Sequence, residues 1–411
     1  MAAEQGAEAG ASGRWLALAL ISVGVLGPLT TWFSATAILP ELTRDWDLSP
    51  AAAAWLTNAV QAGFVAGALG ASLVNLPDIL RLNRLMAGAA LLAAVANAGL
   101  LLAPGPGWAI ALRLVTGLAL AGVYPPALKL MATWFRRGRG LALGVMIGAL
   151  TLGSALPHLF RALAGGADWR SVVLGSSLST LAAAALFALA VREGPHAFAR
   201  ATFDPRQSLA VLRNRPLMLA NLGYFGHMWE LYAMWAWFLV FAAASGQAGG
   251  AVPFGSPSML TFLTLAAGAG GCVLGGVLSD RIGRCLTTAG MMAVSGLCAL
   301  LIGFAFGGPP ALLGAVALIW GASIVGDSAQ FSAAVTELAD PRFVGTAVSV
   351  QLGIGFGLTV AAIWLLPLVA EALGGWRWAF LPLVPGPLIG LVAMLALRRL
   401  PEARLLAGGR R

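Results

Sequence analysis

Apolar residues run through this chain in long blocks, each closed by a short polar or glycine- and proline-rich link. Twelve blocks reach the roughly 20 residues that a helix needs to cross a bilayer. They cover about 15–38, 51–74, 84–103, 108–133, 140–163, 171–191, 216–243, 258–279, 286–307, 310–334, 344–369 and 377–397. The links hold turn formers, as in Ala103-Pro104-Gly105-Pro106-Gly107, Gly165-Gly166, Gly307-Gly308-Pro309-Pro310 and Gly374-Gly375. Blocks of this length do not fit the short alternating strands of a membrane barrel. The pattern therefore predicts an all-α integral membrane fold. The block after Arg14 outlasts the apolar core of a signal peptide and many like it follow, so it reads as a retained first span. The small and polar residues before it read as a disordered tail.

Composition agrees. Hydrophobic residues make up 59% of the 411 and charged residues 10%, where a soluble domain carries about a quarter charged. The net charge of +9 does not point to nucleic acid, because the arginines sit in short links rather than on one polar face. Cys272, Cys285 and Cys298 form neither a metal-ligand spacing nor a disulfide framework.

Arginine placement tests the span count. With the N-terminus in the cytoplasm, alternate links should be basic. Nineteen arginines then fall in cytoplasmic segments, among them Arg81 and Arg84, Arg136, Arg137 and Arg139, Arg200 and Arg206, Arg342 and Arg411. Only Arg44, Arg170 and Arg377 fall outside. A miscount by one span would scramble this alternation. The chain is expected to be multi-pass in a bacterial inner membrane, with both termini cytoplasmic.

The longest polar stretch inside the chain divides it in two. The boundaries read as a cytoplasmic tail (1–14), a six-helix bundle (15–191), a linker (192–215), a second six-helix bundle (216–397) and a basic tail (398–411). The halves repeat weakly. Asp168-Trp169-Arg170 matches Gly375-Trp376-Arg377, Gly117 and Gly122 match Gly321 and Gly326, Gly140 and Gly148 match Gly345 and Gly353, and Asp78 matches Asp280. Parallel repeats of this kind place a substrate site between the halves, near the midplane.

Ionisable residues inside spans are the sharpest functional signal, since each costs about 2.5–3.5 kcal/mol to insert. Glu230 lies near the middle of span seven, with His227 three residues before it on the same face. Asp327 lies in span ten with Gln330 one turn on, and Arg113 in span four. Glu230, His227 and Asp327 suit proton coupling or substrate contact; hydrogen bonds or ion pairs between packed helices are the plain alternative. Arg113 suits an anionic substrate or a structural pair. Arg161, at the outer end of span five, is expected to snorkel to the interface.

Trp229, Tyr232 and Trp235 recur at helical spacing in span seven, with Trp32 near the matching place in span one. They suit ring stacking on a substrate or bundle packing. Asn58 and Gln61 are a turn apart in span two and suit the cavity. Tyr124-Pro125-Pro126 is expected to kink span four.

No phosphate-binding loop of the ATPase type is present. Three scattered histidines assemble no catalytic or metal constellation, so neither enzyme chemistry nor a cofactor is expected. The remaining reading is a secondary transporter for a small-molecule substrate, coupled to a proton or another ion, seated in membrane lipids and monomeric. A non-transporting receptor would be expected to carry a large soluble domain or long tail.

Gly276-Val-Leu-Ser-Asp280-Arg281-Ile-Gly283-Arg284 resembles the loop motif G-x-x-x-D-R-x-G-R-R of the major facilitator superfamily, with Cys285 replacing the last arginine. The first-half copy keeps Asp78, Arg81 and Arg84 but neither glycine. Arg113-Leu-Val-Thr-Gly117 resembles the family's second motif, and Gly148 to Pro157 its antiporter motif without the Gly-Pro pair. The resemblance covers essentially the whole chain and implies two pseudo-symmetric six-helix bundles. In that loop Asp280, and Asp78 in the first copy, suit a latch onto a helix N-terminus of the other half, where unpaired N–H groups favour an anion; a basic topology signal with a turn is the plain alternative.

Gly122 to Phe135 further resembles bacterial nitrate/nitrite- and cyanate-type members. Those hold their anion with arginines in spans two and eight, and here both spans are uncharged. Uptake of a small organic anion and efflux of a drug or metabolite by antiport both remain open.

Overall fold

The computed structural model describes residues 2–135, 139–165, 168–196, 208–249, 251–340 and 344–410. Arg136, Arg137, Gly166, Arg200, Arg206, Arg342 and Arg411 lie outside the described residues, as do the side chains of Asp78 and Arg139. Among those described, 12 helices are long and apolar enough to cross a membrane. They are α1 (Gly13–Ala37), α2 (Pro50–Leu73), α3 (Leu82–Leu102), α4 (Pro106–Trp134), α5 (Gly140–Leu163), α6 (Arg170–Leu189), α7 (Arg215–Gly249), α8 (Pro257–Ile282), α9 (Arg284–Ala305), α10 (Pro310–Leu338), α11 (Val344–Ala372) and α12 (Leu381–Arg398).

Two ends depart from expectation. The helix that becomes α1 starts at Ala2 rather than after a disordered tail, in keeping with the alanine and glutamate there, which favour helix. The last span starts at Leu381, later than the expected 377, because Trp376–Phe380 forms turns ahead of Pro382 and Pro385. Both chain ends lie on one face of the bundle, the terminal face, where Gly13 meets Trp134 and Arg410 meets Asp280. The opposite side is the far face.

The halves are packed alike. In the first, α1 packs on α5 and α6, α2 on α4, and α3 on α4 and α6; in the second, α7 packs on α11 and α12, α8 on α10, and α9 on α10 and α12. The tightest approach is repeated too: Gly117 of α4 presses on the Val60 carbonyl of α2, and Gly321 of α10 on the Thr264 carbonyl of α8. Any side chain at either glycine would overlap main chain. Between helices in a membrane, such small residues substitute for a hydrophobic driving force.

α4 and α10 are each broken at the same place in the repeat. In α4 the helix stops at Leu120 and restarts at Tyr124, with Pro125 and Pro126 in its first turn, where proline's missing N–H is harmless. In α10 it stops at Gly326 and restarts at Ser328. No proline marks that second break; Gly326-Asp327-Ser328 are weak helix formers.

The halves meet along two helix pairs, α5 with α8 and α2 with α11. Along α5, Gly144 lies beside the Cys272 main chain and Gly148 beside Ala269. Along α2, Asn58 Nδ2 donates to the Val360 carbonyl at 3.2 Å, and Phe64 packs on Phe356 with ring centres 4.6 Å apart.

Candidate functional site

The residues singled out in the sequence fall into four places. The first is the centre, between the halves. Trp32 of α1 and Phe64 of α2 face Tyr232 of α7 and Phe356 of α11. Trp32 stacks on Tyr232 at 5.7 Å and lies 5.9 Å from Phe356. Tyr124, at the restart of α4, stacks on Phe64 at 6.1 Å. Asn58, Gln61 and Phe64 are three residues apart and share a face of α2. Gln61 is fully buried, and neither of its amide atoms has a hydrogen-bond partner; the same holds for Trp32 Nε1 and Asn58 Oδ1.

The second place is inside the first half. Arg113 is wholly buried. Its guanidinium donates to the carbonyls of Thr31 (2.5 Å), Trp32 and Leu56 (3.1 Å) and to Ser34 Oγ (3.2 Å). Ser34 in turn donates to Asn97, whose amide donates to Ser177. Every partner of Arg113 is neutral. The cation is solvated by oxygens of α1 and α2 but not neutralised, and it sits on the main chain of Trp32, whose ring is in the centre.

The third place is inside the second half. The break in α10 puts Asp327 Oδ1 2.9 Å from His227 Nδ1 of α7, both buried. His227 Nε2 has no partner. One turn on, Glu230 Oε1 accepts from Trp320 Nε1 at 2.8 Å and Oε2 from Ser295 Oγ at 2.9 Å. Glu230 thus faces α9 and α10 within its own half rather than the centre. The Ser295 hydroxyl also lies 3.3 Å from the Met292 carbonyl. It can turn to that acceptor and leave Oε2 free to hold a proton. Trp229 is occupied elsewhere, donating to the Pro382 carbonyl at 2.9 Å.

The fourth place is the terminal face. Asp280 is exposed, and its carboxylate oxygens lie 2.8 and 2.9 Å from where a side chain on Gly140 would begin. It therefore stands against the first turn of α5, in the other half. Gly283 turns the chain between α8 and α9 with φ of 90°, a conformation that disfavours any side chain. Arg284 reaches Glu337 at 2.5 and 2.7 Å, Gln330 at 2.6 Å and Ser279 at 3.2 Å. Gln330, one turn from Asp327 along α10, is thereby held by the loop arginine. Glu337 also accepts from the Ala407 N–H, which docks the C-terminal segment there. Arg81 and Arg281 are exposed.

Several participants were not read from the sequence: Phe64 and Phe356 at the centre, Ser295 and Trp320 on Glu230, and three charged or polar residues nearer the faces. Glu337 lies two turns beyond Gln330, a spacing that could have indicated it. Glu41 and Ser258 meet Arg161 at the far face, with Arg161 Nη2 2.7 Å from Glu41 Oε1 and Nη1 2.8 Å from Ser258 Oγ. Arg161 therefore ties the halves together instead of snorkelling to the interface.

Twelve membrane helices in two matched six-helix halves, enclosing a shared centre, define a membrane transporter. The chain belongs to the Major Facilitator Superfamily, whose family model matches residues 20–362. It is 32% identical over 132 residues to the niacin transporter NiaP of Acinetobacter baylyi, covering 29% of each chain. It is 35% identical over 152 residues to the gallate transporter of Pseudomonas putida, covering 35% of this chain and 32% of that one. A match at 25% identity to a probable sulfoacetate transporter of Cupriavidus necator covers 63% of this chain and 58% of the other. The matches to the first two thus span about a third of their length.

Two solved structures share the fold. One is an inward-facing bacterial homolog of the human lysosomal transporter Spinster (TM-score 0.69, 16% identity, covering 94% of this chain and 97% of that one). The other is the transporter FucP in its outward conformation (TM-score 0.65, 14% identity, covering 93% and 99%).

Proposed function

We propose that this protein takes up a small organic anion across the bacterial cytoplasmic membrane together with a proton, by alternating exposure of the centre between its halves. The observation that carries the reading is Arg113, a buried guanidinium with only neutral partners. At an effective dielectric of about 20, a unit negative charge about 8 Å away gains about 2 kcal/mol, or roughly 30-fold in affinity. The relatives named for niacin, gallate and sulfoacetate support an organic acid as the cargo. The coupling proton is assigned to the second half, on Glu230 and the His227–Asp327 pair.

The terminal face is assigned to the cytoplasm by the arginine alternation. Asp280 against α5 then holds the cytoplasmic side closed, and Arg161 with Glu41 and Ser258 the outer side. Asp78 in the first copy of the loop is given the corresponding role with Arg81.

The test is uptake into proteoliposomes of the purified protein, using a panel of radiolabelled carboxylates and their neutral amides. The reading expects carboxylate uptake that rises when the outside is made acidic and that amides do not share. Equal uptake of amides and acids would overturn it.

A further inference from the structure

Resting on the organic-anion reading, we infer that the central site takes a flat, ring-bearing carboxylate, with its ring between Trp32 and Phe64 of one half and Tyr232 and Phe356 of the other, and its carboxylate at Gln61.

The two halves close on each other, at their centre, through aromatic rings. Trp32 meets Tyr232 at 5.7 Å with planes 29° apart, Phe33 meets Tyr232 at 6.1 Å and 14°, and Phe64 meets Phe356 at 4.6 Å. These contacts cross from one half to the other, so any parting of the halves strips each ring of its partner across the seam and leaves Trp32 beside Phe64 and Tyr232 beside Phe356. A ligand that replaces ring with ring restores the offset and edge contacts that aromatic pairs favour. A ligand without a flat face leaves them unmatched.

The polar atoms beside the rings complete the argument. A buried polar group without a partner is costly, and such groups persist where something else satisfies them. Gln61 stands between Asn58 and Phe64 on the face of α2 that touches α11, since Asn58 bonds Val360 and Phe64 packs on Phe356. Both its amide atoms are unpaired, as is Trp32 Nε1. Trp32 Nε1 is an unpaired donor on the ring edge, and Gln61 Nε2 is an unpaired donor one turn along α2 from Phe64. A carboxylate accepts from both, and Arg113 on the Trp32 carbonyl adds positive field behind them. Ring and carboxylate are thus called for side by side, which limits the ligand to a short linkage between them.

The experiment is ligand binding to the purified full-length protein, by calorimetry at one pH, with benzoate, cyclohexanecarboxylate, butyrate and benzamide as probes. Benzoate is expected to bind about tenfold tighter than cyclohexanecarboxylate of the same carbon count, and benzamide more weakly still. Gln61→Leu removes two unpaired polar atoms, so it should fold at least as stably as the parent yet bind benzoate at least tenfold more weakly. Tyr232→Leu, at a partly exposed ring, should erase the preference for benzoate over cyclohexanecarboxylate.

Equal binding of benzoate and cyclohexanecarboxylate would overturn the ring inference while leaving the anion reading standing. Equal binding of benzamide and benzoate would overturn the carboxylate assignment together with the anion reading. Full benzoate affinity in a folded Gln61→Leu variant would remove the carboxylate from Gln61.

Discussion

The two halves of this transporter share a helix packing and differ in the charge they bury. Gly117 and Gly321 press on equivalent carbonyls. Four residues before each stand Arg113 in the first half and Ala317 in the second. Each half buries a histidine, but the first sets Arg113 on neutral oxygens, while the second buries Glu230 and Asp327 and holds its buried arginine, Arg284, against Glu337 at the terminal face. The duplicated scaffold needs no charge at the place of Arg113, because its counterpart packs with Ala317. On the proposed function, the halves divide the tasks: Arg113 of the first attracts the anion, and Glu230 with the His227–Asp327 pair of the second carries the proton.

The strongest way to break this contrast is Arg113→Met, which keeps the length of the side chain and removes its charge. Carboxylate binding is expected to fall at least about 30-fold, read by calorimetry. A loss below threefold would leave the halves functionally alike. Glu230→Gln comes next. It still accepts from Trp320 but cannot exchange a proton, and pH-driven accumulation should fall about tenfold while solute exchange persists.

Smaller effects concern the contacts that close the two faces. Cys272 is buried where α8 meets α5, so its alkylation reports opening of the terminal face in a background with Cys285 and Cys298 replaced by serine. Asp280→Asn removes a contact of about 0.3–1 kcal/mol with a helix N-terminus, and labelling should rise about two- to fivefold. An unchanged rate would dismiss the latch. Ser258→Ala deletes the far-face bond across the halves and leaves Arg161 with Glu41. It should change the uptake rate by only about twofold, because a partly exposed charged hydrogen bond contributes little net energy.

The sequence made the scaffold legible and left the partnerships obscure. Span length and arginine alternation need only hydropathy, which is read locally. The break at Tyr124 was visible in its prolines, whereas the break at Asp327 has no proline and is set by packing. Arg161 illustrates the limit most clearly. Its position near a span end fits snorkelling, yet rotation of α5 turns it towards Ser258 of the other half. Gln330 shows the same in reverse, one turn from Asp327 but claimed by Arg284 from α9. Which face of a helix meets which neighbour is a property of the assembled bundle, and single-helix periodicity does not contain it.

The division of tasks is tested most directly by Asp327→Asn in proteoliposomes, measuring accumulation under an imposed pH gradient beside exchange at equal pH. The variant keeps the size of the side chain and removes the negative charge facing His227. The account predicts exchange within about threefold of the parent and accumulation reduced to equilibration. Accumulation equal to the parent's would contradict a proton-carrying second half.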